Sequence, residues 1–300
     1  MERIVLDNGR LQAEITLLGA ELKALRLAGG IELLWPGDAA HWPRSAPILF
    51  PVVGRLVGDG YTHDRRHYTL GQHGFARDRV FTVTERDATA ATLSLRADEE
   101  SHRHYPFDFE LQVRHALRDS GIETRFAVRN AGHAAMPFAI GGHPGFRWPL
   151  EPQFAKTDYV LLFEEAETGR RYLVRDGLLT GAQGEVPWRG PVLPLDEALF
   201  TEDAIVLRHP ASRWVRYQPR AGGLGIRVDF ADFPDLGIWS KPGGAPFLCI
   251  EPWHGHASFM DETGDLSQKR DMRSLAPGTE FACGFSIEAL QTPPVQVQAL

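Results

Sequence analysis

Strict alternation of apolar and polar residues is the feature of this sequence that most limits its fold. Residues 11–17 read Leu-Gln-Ala-Glu-Ile-Thr-Leu, with an apolar side chain at every odd position. Residues 107–113 repeat the pattern as Phe-Asp-Phe-Glu-Leu-Gln-Val. Successive side chains of a strand point to opposite faces, so this period predicts half-buried β-strands rather than helices.

Turn-forming residues separate the alternating segments. Asp119-Ser120-Gly121 lies between the segment at 107–113 and another at 122–128, which predicts an antiparallel hairpin. Glycine and proline, 30 and 21 residues, punctuate most other gaps, and helical periodicity is scarce. Further strands are predicted at 80–84, 91–95, 158–163, 203–207, 224–230, 246–251 and 281–288. We therefore expect an all-β fold, a large antiparallel β-sandwich of two packed sheets.

The 300 residues contain no interior stretch that resembles a linker or a repeat. A single β-sandwich domain of this size is common, and 43% hydrophobic residues are enough for a large core. We expect residues 1–290 to form one domain. Residues 291–300, Gln-Thr-Pro-Pro-Val-Gln-Val-Gln-Ala-Leu, are expected to be a loosely held C-terminal extension.

Charge and hydropathy exclude several classes of protein. The net charge is −7 and no block of Lys or Arg is present, which argues against a nucleic-acid partner. No run approaches the 18 apolar residues of a membrane helix, and the N-terminus lacks a secretory h-region. We expect a cytoplasmic protein without a membrane partner. Cys249 and Cys283 are then expected to be free buried thiols, with a disulfide between them as the alternative.

Two histidines stand next to glycines, where the backbone can approach a ligand closely. His73 lies in Gly71-Gln72-His73-Gly74, and His143 follows Gly141-Gly142 after an apolar run. A histidine has an ordinary pKa near 6.5, which suits proton transfer at neutral pH. The alternatives are a loop histidine bonded to the main chain for His73 and a satisfied core histidine for His143.

A carboxylate ends the apolar run Phe-Leu-Cys-Ile-Glu. Burial of Glu251 would cost several kcal/mol without a partner and would raise its pKa toward the range of a general base. A structural ion pair is the alternative. Trp253 beside it could stack on a sugar ring or belong to the core. Arg55, which closes another apolar run, could donate to sugar hydroxyls or form an ion pair.

Other motifs predict little chemistry. The pairs His102-Arg103-His104 and His254-Gly255-His256 lack a third ligand at a diagnostic spacing, and we interpret both as solvated loops. Gly222-Gly223-Leu224-Gly225 does not open a helix after a strand, so it is not a dinucleotide fingerprint. No P-loop, HExxH or GxSxG motif is present. The sequence therefore shows no apparatus for nucleotide-dependent or covalent chemistry.

Four segments together resemble the aldose 1-epimerase family, in the galactose-mutarotase-like superfamily, and within it the LacX-like branch. The segments, in the order of that family and within a likeness that spans roughly residues 1–290, are Phe50-Pro51-Val52-Val53-Gly54-Arg55, Gly71-Gln72-His73-Gly74-Phe75-Ala76-Arg77, Gly142-His143-Pro144-Gly145-Phe146 and Cys249-Ile250-Glu251-Pro252-Trp253. The resemblance implies a large β-sandwich (a supersandwich) whose concave sheet binds a sugar. It implies an isomerase that interconverts α and β anomers of an aldose without a cofactor or a metal.

The resemblance also implies roles for individual residues. His143 matches the general acid that protonates the ring oxygen, and Glu251 matches the base that takes the proton of the C1 hydroxyl. His73 matches a histidine that bonds the sugar near the ring oxygen or C1. Asp203 matches a carboxylate that binds sugar hydroxyls. This sequence departs from the family at one position, which affects substrate identity. The better-studied mutarotases have a second arginine that contacts the sugar, four residues after the Gly-Arg pair, and this chain has Asp59 there. Arg55 is the candidate to replace that arginine.

Three other functions remain open. A hexose 6-phosphate epimerase would need a basic cluster, which the Arg55 and Arg77 segments could supply. A non-catalytic sugar-binding or sensor protein would lose the acid or the base, but both residues are present. A glycoside hydrolase normally needs two carboxylates, and only Glu251 ends a strand. The expected partner is a small-molecule sugar, and the sequence leaves open whether the chain forms a homodimer.

Overall fold

A computed structural model describes residues 2–167 and 170–296. In chain order the strands of the first half are β1 Arg3–Asp7, β2 Leu11–Thr16, β3 Leu22–Leu27, β4 Ile48–Leu49, β5 Gly60–His63, β6 Arg66–Thr69, β7 Thr82–Arg86, β8 Ala90–Arg96, β9 Phe109–Leu117, β10 Gly121–Asn130, β11 Met136–Phe138 and β12 Ile140–Gly142. The second half contributes β13 Gly145–Arg147, β14 Tyr159–Phe163, β15 Arg170–Arg175, β16 Leu178–Glu185, β17 Val192–Pro194, β18 Ile205–Arg208, β19 Trp214–Pro219, β20 Gly223–Asp229, β21 Asp235–Trp239, β22 Phe247–His254, β23 Arg273–Leu275 and β24 Glu280–Thr292.

Helical structure is confined to short segments. The α-helix found in these described ranges is α1, Glu99–His104, which is capped by Asp98. Short 3-10 turns lie at Val57–Asp59, Ala76–Asp78, Lys156–Asp158, Glu197–Phe200 and Leu266–Gln268. None of the described helices is long and apolar enough to cross a membrane.

Two large antiparallel sheets confirm the predicted all-β sandwich. The nine-stranded sheet has the order β17-β14-β19-β20-β24-β10-β9-β8-β7. The eight-stranded sheet has the order β16-β15-β18-β21-β22-β12-β4, with β13 also paired to β22. Three smaller sheets, β1-β2-β3, β11-β23 and β5-β6, complete the fold.

The predicted hairpin at Asp119-Ser120-Gly121 is the β9–β10 pair. Its register places Phe126 opposite Val113 and Ile122 opposite Leu117. These four side chains are buried in the main hydrophobic core. His115 and Thr124 are buried on the same face, whereas Arg114, Glu123 and Arg125 alternate with them on the opposite, more exposed face. The alternation in the sequence therefore selects the buried face of this sheet.

Strand β22 shows how the two sheets position a functional face. Leu248 and Ile250 belong to the core between the sheets, and the His254 ring lies 5.0 Å from that of Phe281 in β24. Because side chains alternate, Cys249, Glu251 and Trp253 point to the opposite face. All eight residues of β22 are nevertheless buried. That second face is therefore also covered, and the cover consists of loops around a cavity.

The end of the chain continues the nine-stranded sheet past Leu290. Strand β24 reaches Thr292, where it pairs with Gly223, and the Val295 amide donates to the Arg220 carbonyl at 2.8 Å. Residues 297–300 of the expected C-terminal extension lie outside the described residues.

Candidate active site

A cavity of about 520 Å³ opens on the outer face of the eight-stranded sheet. It is bounded by the loops around Gly54 and His73, the turn of the β15–β16 hairpin, and the C-terminal parts of β21 and β22. All seven site residues predicted from the sequence line it: Arg55, His73, Arg77, His143, Asp203, Glu251 and Trp253.

His143 and Glu251 meet because two short strands flank the same partner. Strands β12 and β13 both pair with β22, so the Gly142-His143-Pro144 connection lies beside Glu251. His143 Nε2 lies 3.1 Å from Glu251 Oε2, and the two residues are 7% and 1% exposed. The contact is not aligned as a hydrogen bond: within residues 2–167 and 170–296, neither Glu251 Oε2 nor His143 Nδ1 has a hydrogen-bond partner. Both groups are thus available to a ligand.

Burial shifts the pKa values of Glu251 and His143 in opposite directions. It raises the pKa of Glu251 well above its ordinary value, and the nearby Asp203 carboxylate raises that pKa further. It lowers the pKa of His143, with Arg77 as the next cause. Both shifts favour the uncharged forms, with the proton on Glu251 and a neutral His143 ring. Movement of this proton to His143 creates an acid and a base in contact without any change in total charge.

The loop that contains Gly54, just before Arg55, determines which ring nitrogen of His73 carries the proton. The Gly54 amide donates to His73 Nδ1 at 3.1 Å, and the His73 amide donates to the Gly54 carbonyl at 2.8 Å. Since Nδ1 accepts, the neutral ring carries its proton on Nε2 and is a donor there. Burial and the neighbouring His143 lower the pKa of His73, whose ring lies edge-on at 5.6 Å from that of His143.

Asp203 contributes a second carboxyl group to the cavity. Burial raises its pKa, while the Ala204 amide donates to Oδ1 at 2.8 Å. Its φ of 78° is in the left-handed region, and among the described cavity-lining residues Asp59, His73 and Asp176 share this conformation with φ of 53°, 66° and 53°. Such strained backbone is costly outside turns and is concentrated at functional sites.

Arg55 lies at the edge of the cavity. It is bound there by Asp59, the residue that stands where the better-studied mutarotases have a second arginine. Its Nε and Nη2 donate to the two carboxylate oxygens of Asp59, both at 2.6 Å. Its Nη1 donates to the Asp176 carbonyl at 3.0 Å and so holds the turn of the β15–β16 hairpin. Of the two interpretations of Arg55, the ion pair is the one that the structure contains.

Arg77 and Arg44 form a positively charged corner beside the histidines. Burial, followed by the proximity of Arg44, lowers the pKa of Arg77 to about 10. Arg77 Nη2 donates to the Gln72 carbonyl at 2.6 Å, and Arg44 Nη2 donates to Asp78 Oδ1 at 2.7 Å. Arg77 lines the cavity, whereas Arg44 lies behind it, and Asp78 is within ion-pair distance of both at 3.8 and 2.7 Å. A guanidinium group at a cavity wall can bind an anion. Arg44 was not predicted from the sequence.

Aromatic rings form the remaining walls. Trp253 lies flat against Gly237, where an added Cβ would come within 2.4 Å of the indole ring. Trp42 lies 4.8 Å from the His143 ring at an interplanar angle of 30°, and Trp239 lies edge-on to it at 5.8 Å. Trp42 and Trp239 were missed because each is a single aromatic residue in a segment without a motif.

One motif was interpreted wrongly. His254 and His256 are 7% and 0% exposed rather than solvated. His254, the last residue of β22, packs against Phe233 and Phe281, and His256 packs against Phe259. His256 lines the cavity, with its Nε2 at 3.0 Å from Asp271 Oδ2 and its Nδ1 at 2.7 Å from the Ala257 carbonyl. No alternation marks His256, since every residue from Phe247 to His256 is buried.

Comparisons with known proteins agree with this architecture. The profile of the family described as aldose 1-epimerase matches residues 2–270. The chromosomal LacX protein of Lactococcus lactis is 36% identical over 284 residues, 91% of this chain and 95% of that protein. The structure of a galactose mutarotase related enzyme from Lactobacillus acidophilus superposes with a TM-score of 0.91 at 32% identity, covering 99% of this chain and all of that one. A putative glucose-6-phosphate 1-epimerase of Escherichia coli is 28% identical over 121 residues, 37% of this chain and 38% of that protein.

Proposed function

The chain belongs to the aldose 1-epimerase family, and on that premise we propose that it interconverts the α and β anomers of a hexose by acid–base opening and closure of the ring. The observation that carries this proposal is the contact between His143 Nε2 and Glu251 Oε2 at 3.1 Å, in a cavity large enough for one sugar. The hydroxyl oxygen on C1 and the ring oxygen share one carbon atom, so their two proton transfers need two groups that are close together.

Ring opening uses both groups in one step. Glu251 takes the proton from the C1 hydroxyl, and His143 donates a proton to the ring oxygen as the bond from C1 to that oxygen breaks. The products are an open-chain aldehyde, a protonated Glu251 and a neutral His143. Rotation about the C1–C2 bond presents the other face of the aldehyde, and the reverse transfers close the ring as the other anomer. Each turnover returns the same single proton to the pair.

The other cavity residues hold the sugar during this rotation. His73 donates from Nε2 to an oxygen near C1, because Nδ1 is occupied by the Gly54 amide. Asp203 accepts from hydroxyl groups on the far side. Trp253, immobilised against Gly237, offers an apolar surface to the C–H groups of the ring. Arg77 donates to hydroxyl oxygens, and Arg55 closes the edge of the cavity.

Polarimetry on freshly dissolved α-glucose and α-galactose tests the proposal. The protein should shorten the approach to the equilibrium rotation for at least one of them. Glu251→Gln should remove this effect, whereas Glu202→Gln, whose side chain is 72% exposed, should retain it. A folded protein that binds these sugars but leaves both rates unchanged would show a non-catalytic binding protein instead.

A hexose 6-phosphate is the second candidate substrate, because of the Arg44–Arg77 corner. A phosphate bound between these guanidinium groups would offset the repulsion that lowers the pKa of Arg77. One relative, from Escherichia coli, bears the description putative glucose-6-phosphate 1-epimerase. Anomer exchange of glucose 6-phosphate, followed by NMR, distinguishes the two substrates. A preference for the phosphorylated sugar that Arg44→Met and Arg77→Met each abolish would support this candidate.

No step of the proposed reaction needs a metal or a nucleotide, so activity should survive EDTA; loss of activity that a divalent ion restores would contradict this. We further propose a cytoplasmic location. Support comes from Cys249 and Cys283, both buried and, in the part of the chain that the structure describes, not disulfide-bonded.

A further inference from the structure

A third potential ligand lies directly behind the acid–base pair. Cys249 is two residues before Glu251 in β22, so both side chains point to the same face of the sheet. The nitrogen of His143, the sulfur of Cys249 and a carboxylate oxygen of Glu251 all lie within 4.8 Å of one another. All three residues are buried, at 7%, 0% and 1% exposure.

The donor set matches a soft divalent cation. Zn²⁺ binds imidazole nitrogen, thiolate sulfur and carboxylate oxygen, at about 2.0–2.3 Å, usually in a tetrahedron. A tetrahedron with such distances separates nitrogen and oxygen ligands by about 3.3 Å, and His143 Nε2 lies 3.1 Å from Glu251 Oε2. The three ligand atoms lie up to 4.8 Å apart, so binding requires them to move toward a common centre. His143 and Glu251 line the cavity, and Cys249 lies behind them.

The charges also balance in this buried place. A thiolate and a carboxylate supply two negative charges, and a neutral imidazole supplies none, so the complex with a divalent cation is neutral. Within the described chain, Glu251 Oε2 also lacks any hydrogen-bond partner that a cation would have to displace.

We propose that His143, Cys249 and Glu251 bind a thiophilic divalent cation such as Zn²⁺, and that the bound cation inhibits the enzyme by occupying its acid and its base. Binding follows from the cluster alone, whereas inhibition rests on the proposed function. The cation is an inhibitor and not a cofactor, since it removes the exchangeable proton of the pair.

Co²⁺ titration tests the binding without reference to activity. Cobalt bound to a thiolate absorbs in the near ultraviolet, so the wild-type protein should develop this band and lose it on addition of EDTA. Cys249→Ser and Cys249→Ala should both lack the band. Cys283→Ser is the matched control, because Cys283 is equally buried but lies in β24, outside the cluster, and it should keep the band. Absence of the band in the wild type, or its loss in Cys283→Ser, would overturn the proposal.

Zn²⁺ inhibition of anomer exchange then tests the consequence. Each variant is compared with its own rate without Zn²⁺, and Mg²⁺, which prefers oxygen ligands, should not inhibit. Cys249→Ser should raise the Zn²⁺ concentration for half inhibition by more than about tenfold, since even loss of a partner outside the ligand set costs that much. Equal Zn²⁺ sensitivity of the wild type and Cys249→Ser would refute inhibition at this cluster. A cobalt band in a protein without anomerase activity would refute the proposed function and leave the binding site intact.

Discussion

Two histidines of this molecule are buried to a similar extent but differ in the hydrogen-bond partners of their ring nitrogens. His115 and His143 are 2% and 7% exposed, and burial lowers the pKa of both. His115 Nδ1 lies 3.0 Å from Thr124 Oγ1, and its Nε2 lies 2.9 Å from the Ala20 carbonyl. His143 instead lines the cavity beside Glu251, and within the residues described here its Nδ1 has no hydrogen-bond partner.

The difference shows that burial and a shifted pKa do not by themselves identify a catalytic histidine. Both nitrogens of His115 are used to join β9 and β10 to the loop at Ala20, so the free energy of these bonds stabilises the fold. His143 leaves its polar atoms available at a cavity wall, where a ligand can use them. Availability of the ring nitrogens, rather than burial, separates a reactive group from a structural one.

The largest expected effect is loss of the acid–base pair. Glu251→Gln retains the shape of the side chain but removes the base, and His143→Asn removes the acid. Each should lower kcat by about 10²-fold or more, the usual contribution of a positioned acid or base. The double variant should be less impaired than the product of the two, since the residues act as a unit. Polarimetric kcat and KM measure this.

The matched control is His115→Asn, which removes an equally buried ring. It should lose stability in urea unfolding but retain kcat, because His115 is not among the cavity-lining residues. Wild-type kcat in Glu251→Gln would show that the assigned base is wrong, and Asp203 would be the next candidate. A hundredfold loss of kcat in a folded His115→Asn would remove the distinction between the two histidines.

The next effect concerns stability at low pH. The pKa of His115 is about 4 in the folded protein, against 6.5 when exposed. Between these values the unfolded chain binds a proton that the folded chain does not, so stability is full above pH 6.5 and falls as the pH drops to 4. The total loss from this one group is about 3 kcal/mol. The difference in unfolding free energy between wild type and His115→Asn should therefore shrink from pH 7 to pH 4, and a constant difference would contradict the shift.

The sequence predicted the sandwich because one face of most strands is buried. No strand was predicted over β1, in which only Ile4 and Leu6 are buried and Val5 is 43% exposed. None was predicted over β3, β15, β16, β19 or β21 either. Strand β22 was predicted from the opposite pattern, a continuous apolar run that the structure covers on both faces. The assignment of residues 1–290 to one domain stays a prediction.

The site was predicted unevenly for a different reason. His73, His143 and Glu251 interrupt apolar or glycine-rich segments, so each leaves a local signal in the sequence. Trp42 comes from a loop that only tertiary contacts bring to the cavity. That loop is fixed by Glu21, which accepts from the Ser45 and Ala46 amides at 2.5 and 3.1 Å. Such contacts have no signature in the local sequence.

A smaller effect on kcat/KM is expected when the Nε2 hydrogen-bond donor of His73 is removed. Asn tolerates the left-handed backbone that His73 adopts with a φ of 66°, so His73→Asn isolates the loss of the Nε2 donor. A buried hydrogen bond lost in this way is worth about 1–3 kcal/mol, and kcat/KM should fall by about 10- to 100-fold. The pH dependence of kcat should be unchanged, because His73 donates a hydrogen bond and does not transfer a proton. A shifted pH profile would instead give His73 a share in proton transfer.

The smallest expected effect tests whether the ion pair with Asp59 prevents Arg55 from binding the sugar. Asp59 binds two of the guanidinium nitrogens of Arg55, and the Asp176 carbonyl binds the third. Asp59→Asn removes the charged partner and frees part of the guanidinium to reach a sugar hydroxyl. KM should then fall by about two- to tenfold, the effect of one net hydrogen bond, while kcat stays unchanged because the bond is the same in substrate and transition state. Initial polarimetric rates over a range of sugar concentrations measure both constants, and Asp59→Asn combined with Arg55→Met should cancel the gain. An unchanged KM in Asp59→Asn would mean that the hairpin turn, and not Asp59, holds Arg55 at the edge.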